Sequence, residues 1–99
     1  MNAVITGVGA LSPLGLDLES FWKAVLEEKS CVQSGLGYFQ DPQWNEIGAR
    51  VKSSIPNSEG SGKIAQIAYL AAEEAMKKAG WSGLNDDDGL ILGTTTGEI

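Results

Sequence analysis

The chain has 99 residues, enough for one small domain but not two, and 42% of them are hydrophobic, too many for a disordered chain. Net charge is −6, from 13 acidic and 7 basic residues, and the basic ones (Lys23, Lys29, Arg50, Lys52, Lys63, Lys77, Lys78) are scattered, which argues against a nucleic-acid partner. One cysteine, Cys31, rules out an intrachain disulfide and fits a reducing cytoplasm, while the lack of histidine removes the commonest general base and metal ligand.

Met1 to Val8 is apolar and rich in β-branched residues, with Val4, Ile5, Thr6 and Val8, and is predicted to be a strand. Gly7 and Gly9 lead into a turn, and Ser12-Pro13 and Gly15 punctuate the chain again before a helix. The stretch to Leu16 has no basic start and is broken by Gly and Pro, so no signal peptide is expected. No apolar run approaches the ~20 residues of a transmembrane helix. A dinucleotide fingerprint needs G-x-G-x-x-G, and its third glycine position is Ser12 here. No nucleotide is read from it, and no cofactor is expected.

Asp17 is a good N-cap for a helix running to Glu28 or Lys29. Leu18, Phe21, Trp22, Val25 and Leu26 form its apolar stripe, with Phe21 and Trp22 read as core. Ser30 to Gln43 shows no periodicity and is expected to be an irregular excursion that packs Tyr38, Phe39 and Trp44 back on the domain. Ile47, Ala49 and Val51 alternate with Gly48, Arg50 and Lys52, the pattern of a half-exposed strand. Ser53 to Gly62 reads as loop. Gly60-Ser61-Gly62-Lys63 fails the phosphate-loop pattern, because Asn57 and Ile64 stand where Gly and Ser or Thr are needed.

The strongest helix signal runs from Ile64 to Ala79. Ile64, Ile67, Ala68, Ala71, Ala75 and Ala79 keep a 3-and-4 spacing, and small side chains there allow a close approach by a sheet or another helix. Glu73 and Glu74 precede Lys77 and Lys78 at i+4 and are read as a solvated face rather than paired catalytic acids. Gly80 is a natural residue to follow the helix. Asp86-Asp87-Asp88 is a short acidic loop without the ligand spacing of a calcium site. Leu90 to Leu92 is expected to be a buried strand, followed by a turn at Gly93 to Gly97. The order strand, helix, strand, helix, strand predicts an α/β fold with a predominantly parallel sheet.

Four stretches then combine. Thr6-Gly7-x-Gly9-x-x-Ser12-Pro13-x-Gly15 with Phe21-Trp22 opens the chain, and Gly48-Ala49-Arg50-Val51 follows. Ala68 to Gly80 is an alanine-rich helix ending in A-G, and Leu90-Ile91-Leu92-Gly93-Thr94-Thr95-Thr96-Gly97 closes the set. In this order the motifs resemble the start of the β-ketoacyl synthases, the condensing enzymes of fatty-acid and polyketide synthesis.

The resemblance implies a partial thiolase-like fold, with residues 1–99 an N-terminal fragment of the synthase N-terminal domain. The family's enzymes hold an acyl group on a cysteine and extend it, by decarboxylative Claisen condensation, with a malonyl unit on acyl carrier protein. That cysteine lies on a later strand-to-helix turn in the family and its two histidines come later still. No residue here is therefore assigned a catalytic, cofactor or metal role. Cys31 falls where the family has a turn glycine and is read as incidental, since a reactive thiol needs a base and an electropositive setting. The family's basic, Met-containing segment before the alanine-rich helix is replaced by the Gly-rich Ser58 to Lys63, which suggests a divergent branch. The expected partners are a second copy or the missing C-terminal portion, with acyl carrier protein for the parent enzyme and neither nucleic acid nor membrane. The rival readings are a non-catalytic subunit like the chain-length factors, or an unrelated small binding module.

Overall fold

The structure, a computed structural model, describes residues 2–34, 47–51 and 62–95. Its elements run α1 (Leu18–Leu26), β1 (Gln33–Ser34), β2 (Ile47–Gly48) and α2 (Lys63–Lys78). They divide between two compact units, one of Met1–Ala10 with Ser54–Ile99 and the other of Leu11–Ser53.

The Leu11–Ser53 unit begins with a tight turn. Ser12 and Gly15 exchange backbone hydrogen bonds of 2.9 and 3.1 Å across Pro13-Leu14, and the Ser12 hydroxyl accepts from the Leu14 amide at 3.1 Å. Proline fits because its fixed φ suits the turn and its lost N–H is not needed there. Asp17 then caps α1 as expected, its Oδ1 accepting from the Ser20 amide at 2.7 Å. The helix ends earlier than its sequence pattern suggests. Glu28 takes a left-handed conformation (φ 58°), the Lys29 amide donates to the Ala24 carbonyl, and the Glu28 amide donates to that of Val25. This closure satisfies carbonyls that a longer helix would have used, and it is made without the usual glycine.

Ala24 alone is buried in α1 among the described residues. Phe21 is half-buried, but Trp22 is 56% exposed, and Val25 and Leu26 are exposed as well. The reading of Trp22 as core is thus corrected: the apolar stripe exists in the sequence, but most of it finds no cover among the described residues. β1 pairs antiparallel with β2, Gln33 opposite Gly48 and Ser34 opposite Ile47. Ile47 is the exposed member of β2 and Gly48 the half-buried one, so the half-exposed strand covers the Gly48 side there.

In the other unit α2 forms where the alanine periodicity places it, from Lys63 to Lys78. Gly62 is its N-cap and makes no side-chain cap. At its far end Gly80 (φ +78°) is left-handed, with the Gly80 amide donating to the Lys77 carbonyl and the Trp81 amide to that of Met76. Beyond it, residues 85–88 close a turn: the Asn85 amide donates to Asp88 Oδ2 at 2.6 Å and the Asp88 amide to the Asn85 carbonyl at 3.0 Å.

The predicted strand-helix-strand-helix-strand order and parallel sheet are corrected. Among the described residues the one ladder is the two-residue antiparallel pair. Neither residues 2–8 nor Leu90 to Leu92 joins it. Leu90 and Ile91 are 81% and 98% exposed rather than buried. A parallel ladder needs a long crossover and a partner edge, whereas the antiparallel pair closes over the short interval 35–46 at lower entropic cost. The coarse reading survives as a partial α/β segment with two helices at the expected places. The expected excursion's aromatics, most of the 53–62 loop and the end of the 93–97 turn lie outside the described residues.

Candidate functional site

Among the described glycines, Gly7 and Gly9 make the closest approach, and it joins the N-terminal segment to α2. Gly9 lies on the backbone of Ala71 and Ala75, and Gly7 lies one turn further along on Ala75 and Ala79. The segment therefore runs opposite to the helix. A Cβ on Gly7 would be driven into the Ala75 carbonyl oxygen and would stand 2.8 Å from the Ala79 nitrogen. A Cβ on Gly9 would be driven into the Ala71 carbonyl oxygen and would stand 3.0 Å from the Ala75 nitrogen. Two residues of extended chain span about 6.6 Å, and four residues of helix rise about 6 Å. A glycine at every second position thus meets an alanine at every fourth.

Glu74 closes this seam. Its Oε1 accepts from the Ala10 amide at 2.9 Å, and its Oε2 pairs with Lys78 Nζ at 3.2 Å. The side chain is only 16% exposed. The reading of Glu73 and Glu74 as one solvated face is corrected for Glu74, which serves the packing. The signal was present in the spacing. At about 100° per residue, Glu74 falls on the flank of the Ala71–Ala75–Ala79 stripe and Glu73 on its back.

On that back, Lys77 Nζ donates to Glu73 Oε1 at 2.8 Å. The hydrogen bond from Lys77, and then that from Tyr69, holds the Glu73 carboxyl below its ordinary 4.5. The hydrogen bond to Glu73 raises the Tyr69 hydroxyl above 10.0 and the Lys77 ammonium above 10.5. Tyr69 and Lys77 are exposed and Glu73 is half-buried between them, so this line is a charged helix surface.

Cys31 is half-buried and unbonded to sulfur. Lys29, the cation nearest it in sequence, pairs with Glu27 at 2.8 Å. Among the described residues no cluster of His, Cys, Asp and Glu could hold a metal ion, and no helix is long and apolar enough to cross a membrane. Among the described residues the geometry offers a packing frame.

Residues 2–98 match the family described as Beta-ketoacyl synthase, N-terminal domain, and the chain belongs to that family. A Schizosaccharomyces pombe protein named as a mitochondrial 3-oxoacyl-acyl-carrier-protein synthase is 29% identical over 113 residues, which cover 97% of this chain and 26% of that protein. Nodulation protein E of Rhizobium meliloti (strain 1021) is 35% identical over 103 residues, covering 97% of this chain and 25% of its own. Nodulation protein E of Rhizobium sp. (strain N33) is 35% identical over 88 residues, 82% of this chain and 22% of its own. The chain thus spans about a quarter of the length of these curated relatives. No solved structure matches it.

Proposed function

We propose that these residues are the N-terminal scaffold segment of a β-ketoacyl synthase with a thiolase-like fold. In that reaction a carbanion, released as a malonyl unit loses carbon dioxide, attacks an acyl thioester on the enzyme's cysteine. The new carbon–carbon bond forms as the thiol leaves, and the β-ketoacyl product stays on acyl carrier protein. The observation that carries the reading is the family match over residues 2–98. The absence of histidine supports a scaffold role, because the condensation needs groups that activate the thiol and stabilise the developing enolate. The exposed Val4, Ile5, Leu90, Ile91 and Leu92 are the surface such a scaffold would offer to further strands. A cytoplasmic setting in fatty-acid or polyketide synthesis accords with the lone, unpaired cysteine.

The test is a chimera. The 99 residues replace the matching quarter of the Schizosaccharomyces pombe synthase, and purified protein is given acyl- and malonyl-loaded carrier protein. The expected result is a soluble chimera that makes β-ketoacyl product. A soluble chimera without product, beside an active parent, would refute the reading.

A further inference from the structure

We propose that Glu74 is a positioning residue that fixes the axial register of residues 7–10 on α2. The glycine–alanine seam does not fix it alone. Ala71, Ala75 and Ala79 repeat every four residues, so each presents the same small surface to a passing glycine. Sliding the segment by one turn toward the helix N-terminus would set Gly9 against Ile67, and that side chain blocks the move. Sliding it one turn toward the C-terminus would set Gly9 on Ala75 and Ala79, where alanine offers no block, and carry Gly7 past the helix end at Lys78.

The polar contact removes this degeneracy. The row that faces the Ala10 amide at four-residue intervals is Leu70, Glu74 and Lys78. Leucine has no acceptor, and an ammonium group only donates. Glu74 alone in that row can take the Ala10 proton, and a slipped segment would leave this amide without its acceptor. A part-buried amide that loses a charged acceptor is costly, so the seam has one favoured register. The Lys78 ammonium, 3.2 Å from the other carboxylate oxygen, pins the rotamer that reaches Ala10. The inference rests on this geometry and not on the condensing-enzyme reading.

The experiment is amide exchange and NMR on the full chain, comparing wild type with Glu74→Gln and Glu74→Ala. Glutamine keeps a carbonyl acceptor and is expected to keep Ala10 protection and the Gly9 cross-peaks to Ala71. In Glu74→Ala, protection at Ala10 is expected to fall about tenfold or more while mid-α2 amides keep theirs. The Gly9 α-protons are then expected to gain cross-peaks to the Ala79 methyl. Should Glu74→Ala unfold, wild type decides: the Ala10 amide shift is expected to follow the ionisation of Glu74, and to be flat in Glu74→Gln. Unchanged Ala10 protection and Gly9 contacts in a folded Glu74→Ala, or a flat Ala10 shift in wild type, would overturn the proposal.

Discussion

Replacing Gly9 by alanine adds one methyl group where the structure has no room for it. The new Cβ would be forced onto the Ala71 carbonyl oxygen, with the Ala71 carbon and the Ala75 nitrogen each at 3.0 Å. These are backbone atoms of a helix, so no rotamer change can relieve the overlap. The segment must lift from α2, which also stretches the 2.9 Å bond between Ala10 and Glu74. Overpacking of this kind costs about 1–3 kcal/mol. Against it stands the stiffer unfolded chain, worth about 0.4–1 kcal/mol when glycine becomes alanine. The net expectation is a loss of about 1–2 kcal/mol, a fall in Tm of roughly 5–15 °C for a domain of this size. Gly83 provides the control, since a Cβ there meets nothing within 4 Å and its φ is not positive. Gly83→Ala is expected to leave Tm unchanged or slightly raised. Urea and thermal melts followed by the helical circular dichroism signal check both. A Gly9→Ala variant as stable as Gly83→Ala would refute the steric reasoning.

Glu28→Gly removes a left-handed non-glycine residue at the end of α1 and should stabilise the chain by about 0.5–1 kcal/mol in the same melts. The Glu73 carboxyl, held below its ordinary 4.5, contributes stability that is present above that value and lost as pH falls through its lower folded value. Lys77 and Tyr69 are raised, so their contribution is present below their ordinary 10.5 and 10.0 and lost as pH rises through the folded values. A carboxyl carbon titration should therefore show the Glu73 midpoint moving up in Lys77→Met, with a smaller shift at high salt. The exposed Leu90, Ile91 and Leu92, with Val4 and Ile5, should drive self-association of the isolated chain. Sedimentation velocity checks this, and a stable monomer across the micromolar range would contradict it.

The helices were legible because their signals are local. Asp17 as cap, the alanine repeat of α2 and Gly80 beyond its end each act within one turn of chain, and each sits where the sequence places it. Gly7 and Gly9 were legible as a turn, and close approach to α2 rather than positive φ is what requires glycine there. The strands were not legible to the same degree. An apolar, β-branched run shows that a segment suits a sheet, but a ladder needs a neighbour, and Leu90 to Leu92 has none among the described residues. Trp22 fails as core for the same reason, since a stripe is buried only when something covers it. Glu74 was missed because its sequence neighbour Glu73 is a surface residue. Helical phase, not charge pattern, separates the two.

If these residues are the scaffold segment proposed above, they are expected to carry none of the condensation chemistry themselves. The most direct measurement is to incubate the purified 99-residue chain with acyl- and malonyl-loaded carrier protein and to look for β-ketoacyl product by mass spectrometry. No product is expected, with Cys31 half-buried and no histidine in the chain to activate it. Product that persists through repurification and disappears in Cys31→Ala would contradict it.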